Sequence, residues 1–143
     1  MLNNIIIANG TYVKVKIIYD STCLTLNRII ARMEQDDEYV TGETPVIFVG
    51  LLSENKNIQE KIPLRYGITT EKLLTSSVTY ASTYVNFIQI VMDNNINLNV
   101  WTKEYYDFPK IHADEISNMS AFPAKNCCKM IDGKMVVKLS EKN

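Results

Sequence analysis

Apolar residues recur at Ile5, Ala8, Tyr12, Val15, Tyr19, Cys23, Leu26, Ile30 and Met33, in unbroken steps of three and four. That spacing lines them up along one face of an α-helix. A strand reading competes over Tyr12 to Ile17, where Val13, Val15 and Ile17 alternate with Lys14 and Lys16, and Gly10 weakens a helix. A single helical register nevertheless explains the whole stretch. A helix is therefore expected over Thr22 to Gln35 and, on the same stripe, over the residues before it. The acids Glu34, Asp36, Asp37 and Glu38 oppose the dipole at a helix C-terminus and should help to stop it.

Turn chemistry at Thr41-Gly-Glu-Thr-Pro leads into Val46-Ile-Phe-Val-Gly-Leu-Leu, an apolar run rich in β-branched residues. It reads as a strand over 46–51, buried on both faces and lying inside a sheet. Ser53 to Thr70 reads as a long irregular connection. Tyr84, Phe87, Ile88, Val91 and Met92 predict a helix from about Ser82 to Asn94, with a start as early as Glu71 permitted by Leu73, Leu74 and Val78. Leu98, Val100 and Trp101 suggest a short strand. Asp107-Phe-Pro suggests the capped start of a short helix whose apolar face is Ile111, Ile116 and Met119. Asp132-Gly133, flanked by Cys128-Lys-Met-Ile and Lys134-Met-Val-Val-Lys-Leu, is the strongest short-range hairpin signal in the chain. The expected fold is a single α/β domain over 1–143: a small helix-flanked sheet with a long N-terminal helix, a buried strand at 46–51 and a C-terminal β-hairpin.

Composition narrows the function. With 143 residues, 46% of them hydrophobic, the chain can hide roughly two-thirds of its unfolded surface without a disulfide or metal. A net charge of -1 with no run of Lys and Arg lacks the footprint of a nucleic-acid binder. Its apolar runs fall short of the ~20 residues that span a bilayer, and Met-Leu-Asn-Asn-Ile-Ile-Ile lacks the basic start of a signal peptide. The expectation is a cytoplasmic protein or a piece of a longer one.

Few residues carry chemistry, and no catalytic, cofactor-binding or metal-binding residue is assigned. His112, the sole histidine, sits one helical turn before Ile116 and reads as structural, with Asp114 and Glu115 expected to point elsewhere. Cys23, Cys127 and Cys128 make an odd count unlike a disulfide framework. The adjacent pair should place one thiol inside and one at the surface. Asp36, Asp37 and Glu38 lack EF-hand spacing and read as a solvated helix end. Trp101, Tyr105, Tyr106 and Phe108 could stack on a sugar, but core filling is the simpler role. Asn9-Gly-Thr and Asn118-Met-Ser match the glycosylation acceptor pattern. No glycine-rich phosphate cradle is present.

Several segments together resemble a known group. Arg28-Ile-Ile-Ala-Arg-Met-Glu, Thr44-Pro-Val-Ile-Phe-Val-Gly, Ile116 to Met119, Phe122-Pro123 and Ile131-Asp-Gly-Lys-Met-Val-Val-Lys-Leu-Ser resemble the C-terminal segment of bacterial multi-pass membrane glucosyltransferases. These are related to the serotype-converting O-antigen glucosyltransferases. The resemblance implies a soluble α/β tail following a bundle of membrane helices. It would be a non-catalytic accessory domain on the extracytoplasmic face, tethered by transmembrane helices that this chain lacks. Its partners would be the membrane domain of the same polypeptide and, as a candidate, cell-envelope glycan. Glucosyl transfer would belong to the full-length protein and to acids in its membrane loops, so no catalytic residue carries over. The alternative is a free-standing cytoplasmic ligand- or partner-binding module, with its site at the C-terminal end of the 46–51 strand. A third reading is a small enzyme acting through a thiol with His112 as base.

Overall fold

The computed structural model describes residues 2–52, 55, 81–91 and 94–141. Its first element, α1, is one helix over Leu2–Met33, as the stripe predicts. Leu26, Ile29, Ile30 and Met33 are buried on the face it turns to the core. Just beyond Met33 the chain tightens: Gln35 N–H donates to Arg32 O, and Asp36 N–H to Met33 O. The Asp36 carboxylate then accepts from Glu38 N–H at 3.1 Å, a side-chain turn that diverts the backbone.

Among the described residues the sheet has three strands: β1 (Val46–Val49), β2 (Cys128–Ile131) and β3 (Lys134–Lys138). β3 lies in the middle, parallel to β1 and antiparallel to β2. Asp132 and Gly133 both have positive φ, 46° and 71°. This is the type I′ geometry whose twist suits a two-residue hairpin, and it explains why the Asp-Gly signal is reliable. α1 packs on β2.

Two expectations for β1 are corrected. It stops at Val49, short of residue 51, because Gly50 takes φ 78°, which ends extended pairing. Among the described residues it is also a sheet edge and not an interior strand, although all four of its residues are buried. The edge is sealed by other means. Val46 N–H donates to Asn97 O at 2.9 Å. The Tyr105 hydroxyl accepts from Phe48 N–H at 3.3 Å and donates to Phe48 O at 3.2 Å. An exposed strand edge invites pairing with other chains, and this one is covered.

The helix expected at 82–94 is α2 (Ala81–Asn86), which widens into a π-helical turn over Phe87–Val91. Tyr84 and Ile88 are buried on it. Its possible start near Glu71 lies outside the described residues, as does the Ser53 to Thr70 connection apart from Asn55. The strand expected at Leu98 to Trp101 is absent. Leu98 N–H instead bonds to Ile96 O in a three-residue turn, and only Asn97 makes a bridge, to Pro45.

Helix α3 covers Lys103–Ile111, so its start was misplaced by the Asp107-Phe-Pro reading. Thr102 is the cap, its Oγ1 accepting from Tyr105 N–H at 3.3 Å. Asp107 pairs with Lys110 instead, at 2.9 Å. Pro109 sits inside the helix, where it removes a backbone donor, and α3 ends two residues later. The chain restarts after His112 as α4 (Ala113–Ser117). Ile116 and Met119 are buried as expected, but Ile111 is 75% exposed, because the break turns it out to solvent.

Candidate functional site

From Asn95 to Trp101 the chain alternates with a period of two. Ile96, Leu98 and Val100 are buried in the core, while Asn95, Asn99 and Trp101 are exposed and Asn97 is half-buried. The even positions anchor the segment and the odd ones form an outward row of three amides ending in an indole. Trp101 is 74% exposed. Asn97 is held in place, with its Nδ2 donating to Glu43 O at 2.9 Å. The turn at Gly42 approaches closely on the same side: a Cβ there would stand 3.3 Å from Asn95 O.

Two adjoining depressions follow this row and share Asn97 and Asn99. One, of about 350 Å³, is lined by Gly42, Gln89, Asn95 and Trp101 among others. The second, of about 230 Å³, runs past Pro45 and Val46 to Thr102, Glu104, Tyr105 and Lys134. Lys134 and Glu104 pair at 2.9 Å, so the charges at that end cancel. Burial pushes the Tyr105 phenol up to about 12, and its bonds to Phe48 only partly offset this, so the hydroxyl is a fixed neutral seal.

Core filling describes Tyr105 and Phe108, both buried, but not Tyr106, 55% exposed, or Trp101. The three asparagines were not singled out from the sequence. Their alternation with Ile96, Leu98 and Val100 is the signal that could have found them.

A second cluster surrounds the adjacent cysteines. Cys127 is fully buried, as expected of one of the pair, whereas Cys128 is half-buried and not at the surface, with their Sγ atoms 3.7 Å apart. Arg32 reaches across from α1: its Nη1 donates to Ala124 O and, at 3.3 Å, to Cys127 Sγ. The hydrogen bond from the Cys128 thiol, and then the Arg32 guanidinium, outweigh burial and push the Cys127 thiol down to about 6. The Cys128 thiol moves up for the complementary reasons of its bond to Cys127, its burial and the neighbouring negative charge. Cys128 lines a depression of about 520 Å³ with Arg32, Gln35, Asp36 and Lys125.

His112 does not join this cluster. Its ring packs on Phe108, with centroids 4.3 Å apart, and Nδ1 lies 3.2 Å from Glu115 Oε1. The expectation that Glu115 points elsewhere is thus corrected: the short helix α4 starts at Ala113, which brings residues 112 and 115 together at its first turn. No bond among the described residues links His112 to a thiol. Cys23 is half-buried on α1.

Of the acidic trio, Asp37 and Glu38 are exposed and Asp36 holds its turn. No group of three or more possible metal ligands occurs among the described residues. Asn118 is exposed, its Nδ2 donating to Asp114 O at 2.9 Å, whereas the Asn9 side chain lies outside the description. Beyond the C-terminal end of β1, the site expected for a free-standing binder, Leu51 N–H donates to Ser140 Oγ and Leu52 N–H to the Tyr84 hydroxyl.

The segments that carry the resemblance meet in space. The guanidinium groups of Arg28 and Arg32 stand 5.3 and 5.2 Å from the Phe122 ring centroid. Phe122 N–H donates to Lys138 O on β3. Lys138 is itself buried, its Nζ donating to Met119 O at 2.8 Å and pairing with Glu141 at 3.0 Å. Comparison of the whole chain with protein-family models, curated proteins and solved structures finds no match.

Proposed function

We propose that this chain is a non-catalytic accessory domain of a membrane glucosyltransferase, held on the extracytoplasmic face by membrane helices that precede α1. The observation that carries the reading is the amino-terminal half of α1. A helix of 32 residues is about 48 Å long, and among its described side chains the buried ones lie between Thr22 and Met33. Tyr12, Val13 and Tyr19 upstream are exposed, at 70%, 47% and 46%. Short helices draw most of their stability from packing, so exposed apolar side chains at Tyr12, Val13 and Tyr19 fit a segment that continues from a membrane bundle and packs against it.

No helix among the described residues is long and apolar enough to cross a membrane, so α1 is assigned the role of a connector and not of a span. The mutual packing of Arg28, Arg32, Phe122 and Lys138 supports treating the resembling segments as one unit. On this reading the catalytic acids and the lipid-linked glucose donor belong to the membrane part, and the domain shapes or holds the acceptor.

The test is the DNA immediately upstream of the Met1 codon. In-frame coding for several apolar segments of ~20 residues each is expected. A ribosome-binding site preceded by in-frame stop codons would overturn the proposal. The 143-residue chain alone is expected to transfer no glucose from a polyprenyl-phosphate donor.

A further inference from the structure

We infer that the outward row Asn95, Asn97, Asn99 and Trp101 is a binding surface for a neutral oligosaccharide. Sugar rings present two kinds of surface: hydroxyls that both donate and accept, and a weakly polar face of C–H groups. The row offers a match for each. An amide carries a carbonyl acceptor and two N–H donors, so it can bond a hydroxyl in either sense. Trp101 is the only tryptophan in the chain, and its exposed indole is the apolar platform.

Extent favours a chain of sugars over a single ring. The backbone turns at Asn97, where Leu98 N–H bonds to Ile96 O, yet Asn95, Asn97, Asn99 and Trp101 together line adjoining depressions, so the row offers more surface than one ring covers. The adjoining depressions of about 350 and 230 Å³ continue the track past Asn97 and Asn99, the larger of them within the range of small-ligand sites. Asn97 is already fixed by Glu43 O, which spares part of the ordering cost of binding.

Charge excludes the other common polymers. The row has no cation, and Lys134 at its far end is neutralised by Glu104, so a phosphate backbone finds no counter-charge. The aliphatic residues of the segment point inward, so a lipid tail finds no apolar track. The surface needs no membrane neighbour, so it stands or falls separately from the accessory-domain reading.

Because Trp101 is unique, its fluorescence reports on this surface alone. The 143-residue chain should be titrated with neutral oligosaccharides built from hexoses, N-acetylhexosamines and 6-deoxyhexoses, with calorimetry as the second readout. At least one should give a saturable change in Trp101 emission. Trp101→Ala should weaken its calorimetric affinity by more than ten-fold, Asn99→Ala by several-fold, and Trp101→Tyr by less than Trp101→Ala. Both positions are exposed, so circular dichroism should be unchanged. Absence of saturation across the panel, or binding undiminished in Trp101→Ala, would overturn the inference.

Discussion

The two halves of α1 share one backbone and one apolar period, yet they meet opposite surroundings. In the carboxyl-terminal half, Thr22, Leu26, Ile29 and Met33 are fully buried. Among the described side chains before Ser21, Tyr12, Val13, Lys16, Tyr19 and Asp20 are exposed, and Lys16 pairs with Asp20 across a single turn at 3.0 Å. The ring contact between Tyr19 and Phe87, at 5.8 Å, lies near the boundary between the two. A helical period therefore specifies a face, while the partner for that face is set by the rest of the molecule. The same stripe can be a core in one place and an offered surface in another.

The sharpest way to break this contrast is to truncate each half in turn. Ile30→Ala should cost about 2–5 kcal/mol, since it removes methyl groups from a packed site and leaves a cavity, whereas removing residues 1–6 should cost under about 1 kcal/mol. Equilibrium urea unfolding of the two variants beside the parent would measure both. If the truncation is the more damaging, the amino-terminal segment belongs to the core and the connector role for α1 fails.

The next effect concerns a burial that no local pattern encodes. Tyr105→Phe keeps the ring but leaves Phe48 N–H and C=O at the edge of β1 without their partner, a loss of about 1–3 kcal/mol. Thermal and urea unfolding should both register it. Full stability in the variant would mean that the edge of β1 is sealed by something other than the hydroxyl.

What was legible in the sequence follows the same division between local and distant causes. The long helix and the Asp132-Gly133 hairpin depend on neighbours within a few residues, and the burial of Val46 to Val49 is announced by their own unbroken apolar run, so all were readable. The position of β1 at an edge was not, because its seal comes from Tyr105, 57 residues away from Phe48. The Asp107-Phe-Pro signal failed because a proline suits both a helix start and the approach to a helix end, and Thr102 provided the earlier cap. At the candidate site, Trp101 and its neighbours were assigned to the core by residue type. Only the alternation of Asn95, Asn97 and Asn99 with Ile96, Leu98 and Val100 separates outward from inward.

A third effect ties the buried half of α1 to pH, through Arg32. In the folded chain the Cys127 thiol is lowered from 9.0 to about 6, so the folded state holds fewer protons than the unfolded chain between those values. A depressed group contributes stability that is complete above its unfolded value and is lost as pH falls through its folded value. Stability should therefore rise from pH about 6 to about 9, with a slope no steeper than one proton, about 1.4 kcal/mol per pH unit. Cys128, raised, reverses the trend above that window. Urea midpoints across this range should show the rise, and Cys127→Ser should flatten it. A rise that persists in Cys127→Ser would assign it to another group.

The smallest expected effect is the one that tests the exposed half of the comparison most directly. Tyr12→Lys places a charge on a position that is 70% exposed. Exposed substitutions away from caps and networks usually change stability by less than about 0.5 kcal/mol, and Lys is a good helix former, so the 143-residue chain should unfold at an unchanged urea midpoint. In a protein where this face packs against a preceding membrane bundle, the same substitution desolvates a charge or opens the contact, at a cost well above its effect on the isolated chain. Proteolytic susceptibility of α1 in membranes carrying the longer protein would read that difference, with Tyr12→Lys cleaved faster than the parent. Equal cleavage in the two would mean that the amino-terminal half of α1 stays solvated there as well, and its exposed apolar side chains would then carry no argument for a neighbour.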